Sequence, residues 1–385
     1  MKRATPFALL CAAILAFAAP HATPAATPTL RQQAGQRIVF GFEGTAAPPE
    51  LLERIRRGEA GGVILYAQNV ASREQVRTLT TTLQRARPAG DPPLLVLTDQ
   101  EGGYVMRLPG APLHSAQEAG ALGRVTVERD GRAAARNLRG AGLNVDLAPV
   151  ADVGRIGSHV HAQERSYSTD AARVSVLAGA FARGLRRGGV AAAAKHFPGL
   201  GAASDADADS HLTTIRLPAG ELRRTDERPF AALARAKIPL VMLSSAVYPA
   251  LDGRRALFSR RIATHELRGR VGFRGVALAD DLDAPVLLGT GTPERRATMA
   301  AAAGADLMMF AHSIRDGERG AAALAGAVRS GRLSRTAFDQ ASERVRALRV
   351  SLAREPGAAR RSAGARYRAG RWGASGVSIA YMRVR

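Results

Sequence analysis

Cysteine is almost absent. The one copy, Cys11, lies inside an apolar run from Phe7 to Ala19. Once that run is removed, neither a disulfide nor a thiol nucleophile is available. Leu10 is not a small residue, which argues against lipid attachment at Cys11. Aromatic residues are also scarce, at 5%, with Trp372 the single tryptophan. Among the basic residues there are therefore few aromatics on which bases would stack. The net charge of +22 is accordingly not read as a specific nucleic-acid surface. A balance so rich in arginine fits nonspecific attraction to an anionic cell envelope. Long apolar runs are lacking as well. Phe7 to Ala19 is too short for a stable membrane span, and it follows the basic Lys2 and Arg3. This is the pattern of a secretory signal peptide, assigned to residues 1–26, and it predicts a secreted or periplasmic protein.

The rest of the chain alternates between strand-like and helix-like segments, which predicts an α/β fold with parallel strands. Eight strands are expected: Arg37–Phe40, Gly62–Tyr66, Leu94–Thr98, Val145–Pro149, Val190–Lys195, Leu240–Ser244, Val276–Asp280 and Asp306–Phe310. Amphipathic stretches fall at Arg73–Arg85, Asp170–Arg187, Pro229–Ala236 and Arg295–Ala303. Two closing helices fall near Gly317–Arg329 and Ser334–Arg349, with Ser334 as an N-cap. A (β/α)8 barrel takes roughly 250 residues or more, so 385 residues suit one elaborated, TIM-like barrel over 27–353. Residues 354–385 place Arg360, Arg361, Arg366, Arg368 and Arg371 among Gly, Ala and Ser. That composition predicts a basic, disordered tail.

Three segments carry candidate chemistry. The first is Lys195-His196-Phe197-Pro198-Gly199-Leu200-Gly201, followed by Asp209-Ser210-His211. In an extended loop, alternate residues point the same way, so Asp209 can hold the His211 imidazole as a general acid/base. The second is Gly275 to Leu282, a buried strand ending in the pair Asp280-Asp281. A carboxylate at the C-terminal end of such a strand sits where barrel enzymes keep their chemistry. Asp281 reads as a supporting residue or a helix cap. The third is Asp99-Gln100-Glu101-Gly102-Gly103 with Arg107, in which two glycines permit a tight turn and leave Asp99 and Arg107 to bind hydroxyls or an anion. Asp205, Asp207 and Asp209 resemble a calcium loop, but Ser210 and Arg216 stand where its glycine and glutamate belong. Neither a metal nor another cofactor is expected. His159 and His161 read as surface residues of a polar insertion.

Together these motifs resemble glycoside hydrolase family 3, in its single-domain β-N-acetylhexosaminidase branch. The likeness extends through Gly41-Phe42-Glu43-Gly44, Asn144 to Val153, and Glu164-Arg165-Ser166-Tyr167, covering roughly residues 30 to 350. Two features depart from the branch: the residues Ala202 to Ala208 inserted before the Asp-Ser-His, and Leu200 in place of a histidine.

The resemblance implies retaining hydrolysis of terminal β-N-acetylglucosaminides. Asp280 would be the nucleophile and His211, oriented by Asp209, the acid/base. Asp99, Arg107, Arg165, Lys195 and His196 would bind the sugar. The implied partner is a β-GlcNAc-terminated glycan, from peptidoglycan fragments or chitooligosaccharides, acted on by a monomer. A histidine does not repel an incoming anion, so phosphorolysis is a further possibility within the same family. Other readings are a β-glucosidase and a non-catalytic sugar- or wall-binding barrel.

Overall fold

Eight short parallel strands follow one another around a barrel in the computed structural model, which describes residues 27–204 and 210–354. They are β1 Ile38–Phe40, β2 Gly62–Ile64, β3 Leu95–Thr98, β4 Val145–Asp146, β5 Ala191–Phe197, β6 Leu240–Leu243, β7 Val276–Ala279 and β8 Met308–Phe310. Each expected strand is present and pairs in register with its neighbours, for example Ile38 with Met308 and Val276 with Leu240. The sheet closes between β7 and β8, where Leu278 bridges Leu307 and the Leu282 amide donates to the Met309 carbonyl at 2.8 Å. The expected signal peptide, the basic tail and Asp209 lie outside the described residues.

Strand alternation sets what faces the barrel axis. Val39, Ile64, Leu95, Leu97, Val145, Ala191, Ala193, Leu240, Met242, Val276, Leu278 and Met309 form one interior cluster. Phe40, Val63, Val96, Ala192, Ala194, Val241, Ala277 and Phe310 face the surrounding helices. Counting on by twos from the interior residues reaches Asp99, Lys195 and Asp280. These polar residues therefore emerge on the interior side at the strands' C-terminal ends.

The surrounding helices are α1 Pro49–Arg56, α2 Arg73–Arg85, α3 Arg124–Gly140, α4 Ala171–Arg187, α5 Arg228–Arg235, α6 Pro293–Ala303 and α7 Ile314–Arg329. A π-type segment, Arg261–Arg270, takes the place after β6. The closing helix α8, Arg335–Arg354, runs about a turn longer than expected. Its Val345, Leu348 and Leu352 join the interior cluster, so α8 plugs the end of the barrel where the strands begin.

The 17-residue α3 lies unusually close to α4. It packs against α4 through small residues. A Cβ on Gly131 would stand 2.4 Å from the Phe181 carbonyl oxygen, and one on Gly184 2.4 Å from that of Glu128. The two helices meet backbone to backbone at these points, and glycine is what permits the approach.

Candidate active site at the barrel mouth

The C-terminal ends of the strands surround a cavity of about 500 Å³. Asp99, Arg107, Arg165, Lys195, His196 and Asp280 all line it. Six of the eight proposed site residues thus converge from β3, β4, β5 and β7, though more than 180 positions of sequence separate the first from the last.

Lys195 holds the centre. Its ammonium is buried, 2.5 Å from an Asp99 carboxylate oxygen and 2.6 Å from one of Glu101. Burial disfavours this cation, but the two carboxylates outweigh burial and raise its pKa. Arg165 grips Glu101 with two hydrogen bonds of 2.9 Å each. Burial resists ionisation of Glu101 too, yet the Arg165 and Lys195 charges bring its pKa down to about 2. Arg107 lies 3.7 Å from the other Asp99 oxygen and over the Tyr66 ring. Lys195 and Asp99 are therefore not free side chains. They form a pre-paired network whose remaining donors and acceptors face the cavity, an arrangement suited to neutral hydroxyl groups.

Asp152 organises the Lys-His-Phe-Pro-Gly turn. One of its oxygens accepts the His196 amide at 3.0 Å and the Leu200 amide at 2.7 Å, and the other meets His196 Nδ1 at 2.7 Å. With Nδ1 committed to a carboxylate, the imidazole's orientation is fixed. Asp280 caps β7, and one of its oxygens accepts the Asp281 amide at 3.0 Å. Burial raises the Asp280 pKa, and the nearby His196 opposes that rise.

Asp281 is not a helix cap. It accepts the amides of Asp283 and Ala311 and lies 3.2 Å from His312 Nε2. Asp283 accepts the amides of Ala311, His312 and Ser313. The loops after β7 and β8 are thereby stapled together behind Asp280. Burial beside Asp281 pushes the Asp283 pKa up to about 8, and the bond to Asp281 lifts that of His312 to about 9. Donor atoms of Asp281, Asp283 and His312 lie within 4.8 Å of one another. Both Asp283 oxygens and one of Asp281 are engaged by amides, and the other Asp281 oxygen faces His312, so the set suits loop bracing better than cation binding.

His211 is placed differently from the other residues. It is exposed on the loop after β5 and does not line the cavity. His159, expected on the surface, does line it, together with Gln163, Tyr66 and His312. Glu101 lies in the Asp99-Gln100-Glu101-Gly102-Gly103 segment, where the sequence by itself gives it no role. Its spacing of two from Asp99 was the signal that both carboxylates share a side. A more apolar groove between α4 and the end of α8 carries no carboxylate among its described lining residues.

Comparisons with known proteins agree with the barrel fold. The family model described as the glycosyl hydrolase family 3 N terminal domain matches residues 29–348. An "uncharacterized secreted glycosyl hydrolase" of Arthroderma benhamiae is 35% identical over 340 residues, 86% of this chain and 96% of that one. A Pseudomonas aeruginosa β-hexosaminidase is 35% identical over 74% of this chain and 86% of its own. Among solved structures, a Beutenbergia cavernae β-N-acetylhexosaminidase superposes with a TM-score of 0.77 at 31% identity, covering 84% of this chain and 99% of its own. A family 3 β-N-acetylglucosaminidase from a Paenibacillus species gives 0.79 at 30% identity, covering 88% of this chain and 65% of that one. The chain belongs to glycoside hydrolase family 3 and forms its N-terminal-type barrel.

Proposed function

We propose that the protein is a retaining β-N-acetylhexosaminidase that removes terminal β-linked N-acetylglucosamine. The observation that carries this reading is the mouth cavity, where Asp280 stands among Asp99, Arg165, Lys195 and His196. In this mechanism Asp280 attacks the anomeric carbon and forms a glycosyl-enzyme ester. The leaving oxygen takes a proton from His211, whose tautomer Asp209 sets. Water, deprotonated by the same histidine, then releases the sugar with the anomeric configuration retained. Lys195, Asp99, Arg107, Arg165 and His196 bind the sugar hydroxyls. The substrates are peptidoglycan fragments or chitooligosaccharides, met outside the cytoplasm after removal of residues 1–26. The secreted description of the Arthroderma relative supports that location.

The test compares turnover of aryl β-GlcNAc and aryl β-glucoside by wild type and Asp280→Asn, with NMR following the anomer first released. Preference for the β-GlcNAc substrate, release of the β-anomer and loss of turnover in the variant are the expected results. A second reading, a non-catalytic sugar-binding barrel, is favoured by the exposed position of His211 away from the cavity wall. Saturable GlcNAc binding without turnover by the wild type would establish it instead.

A further inference from the structure

The opposite end of the barrel holds a second cavity, of about 380 Å³, where the strands begin. Five guanidinium groups line it, those of Arg37, Arg260, Arg268, Arg332 and Arg344, and Asp306 is the one acid among its described lining residues. Asp306 is fully engaged. One oxygen accepts from Arg344 at 2.8 and 3.1 Å, and the other accepts from Arg268 and from the Ala277 amide. Arg37 donates to the carbonyls of Ala305 and Asp306, at 2.7 and 2.8 Å, with its guanidinium over the Phe338 ring. Arg332 donates to Ser330, and Arg260 makes no ion pair among the described residues. One carboxylate thus faces five permanent cations. Burial and the neighbouring Arg344 charge both depress the Arg37 and Arg268 pKa values, that of Arg37 to about 10, with Asp306 opposing.

The first turn of α8 adds to this field. Ser334 and Ala337 line the cavity, and no acidic residue stands in that turn. A helix start carries partial positive charge on its free amides. Cations held close in a concave wall, beyond what the local carboxylate neutralises, make a receptor for a multiply charged anion. Planar guanidinium groups match phosphate oxygens best.

We propose that this face carries an anion site for a phosphate-bearing chain, either a soluble polyphosphate or phosphodiester polymer or the headgroups of an anionic membrane. The site is separate from the sugar chemistry at the mouth, so its test does not depend on the glycosidase reading.

The probe is inorganic tripolyphosphate, titrated calorimetrically into the full chain at low and moderate salt. One saturable site is expected, weakening as salt rises. Arg260→Ala with Arg332→Ala should weaken it at least about tenfold, while Arg260→Lys with Arg332→Lys, which keeps the charge but not the planar fork, should fall between wild type and the alanine pair. The control, Arg124→Ala with Arg129→Ala, removes equal charge from exposed positions of α3 and should leave binding intact. Vesicles of phosphatidylglycerol form the second arm. Sedimentation with them, lost in the Arg260/Arg332 alanine pair, identifies headgroups as the source. Tripolyphosphate binding without sedimentation identifies a soluble polymer. Equal weakening by the control pair, or titration without saturation, would overturn the proposal and reduce the effect to net charge.

Discussion

The two ends of the barrel are built from the same eight strands and meet opposite electrostatic demands. At the mouth, Lys195 sits between Asp99 and Glu101, and Arg165 answers Glu101. Lys195, Arg165, Asp99 and Glu101 each have a partner of the other sign, so this network can offer directed hydrogen bonds without a strong net field. At the other end a single Asp306 serves two arginines and leaves the rest in excess. A balanced network suits a neutral sugar, whereas an unbalanced one suits an anion. Burial of charge is tolerated at both ends, but only at the mouth is the compensation nearly complete.

The comparison breaks most sharply at Asp280. Asp280→Asn should cost several orders of magnitude in turnover with little change in melting temperature, since the carboxylate would act as nucleophile rather than as a structural partner. More than a tenth of wild-type turnover in steady-state assays would remove the assignment. His211→Ala should come next, with losses of roughly 10²–10⁴-fold for poor leaving groups and little loss for a nitrophenolate. A plot of rate against leaving-group pKa reads this directly, and a uniform loss would make His211 structural.

Glu101→Gln tests the balance itself. It leaves Lys195 and Arg165 short of a buried counter-charge, which typically costs about 3–5 kcal/mol. The folded pKa of Glu101 lies near 2, below its ordinary 4.5. Its contribution to stability is therefore complete above about pH 4.5 and drains away as pH falls toward 2. Chemical denaturation between pH 6 and 3 should show that slope in wild type and a flatter one in the variant.

His312→Gln should do less. The imidazole is half-exposed, so its pair with Asp281 contributes at most about 1 kcal/mol. With a pKa raised from 6.5 to about 9, its stabilisation holds below pH 6.5 and is lost as pH rises through 9. Melting curves at pH 6 and 10 should differ by less in the variant than in wild type. The smallest change is expected at the far end. Arg260→Ala with Arg332→Ala should shift stability by no more than about 0.5 kcal/mol and leave turnover unaltered, since both side chains are exposed.

Much of this layout was legible in the chain. Continuous apolar runs such as Leu95–Thr98 and Val276–Ala279 announce buried parallel strands, and the polar residues just beyond them mark the mouth. The helix α3 was not legible. Its buried face sets Val127 and Leu138 among Gly131, Ala134, Ala135, Asp130 and Asn137, so small and polar residues interrupt the apolar stripe. The π-type segment Arg261–Arg270 hid behind its charged residues for a similar reason. Asp281 read as a supporting residue or a helix cap; the structure fits the first, with partners from the loop after β8, about 30 positions along the chain.

What the sequence determined by itself is local and periodic: eight strands, and that Asp99, Lys195 and Asp280 would stand at their ends. The pairing of charges was decided only by closure of the barrel. Lys195 meets Asp99 from 96 positions away, and Asp306 meets Arg344 across 38. Such contacts have no signature in spacing, because a barrel brings together strand ends whose separation in sequence depends on every loop and helix between them. The same closure gathered five arginines around one cavity, from segments that, read singly, are ordinary basic surface.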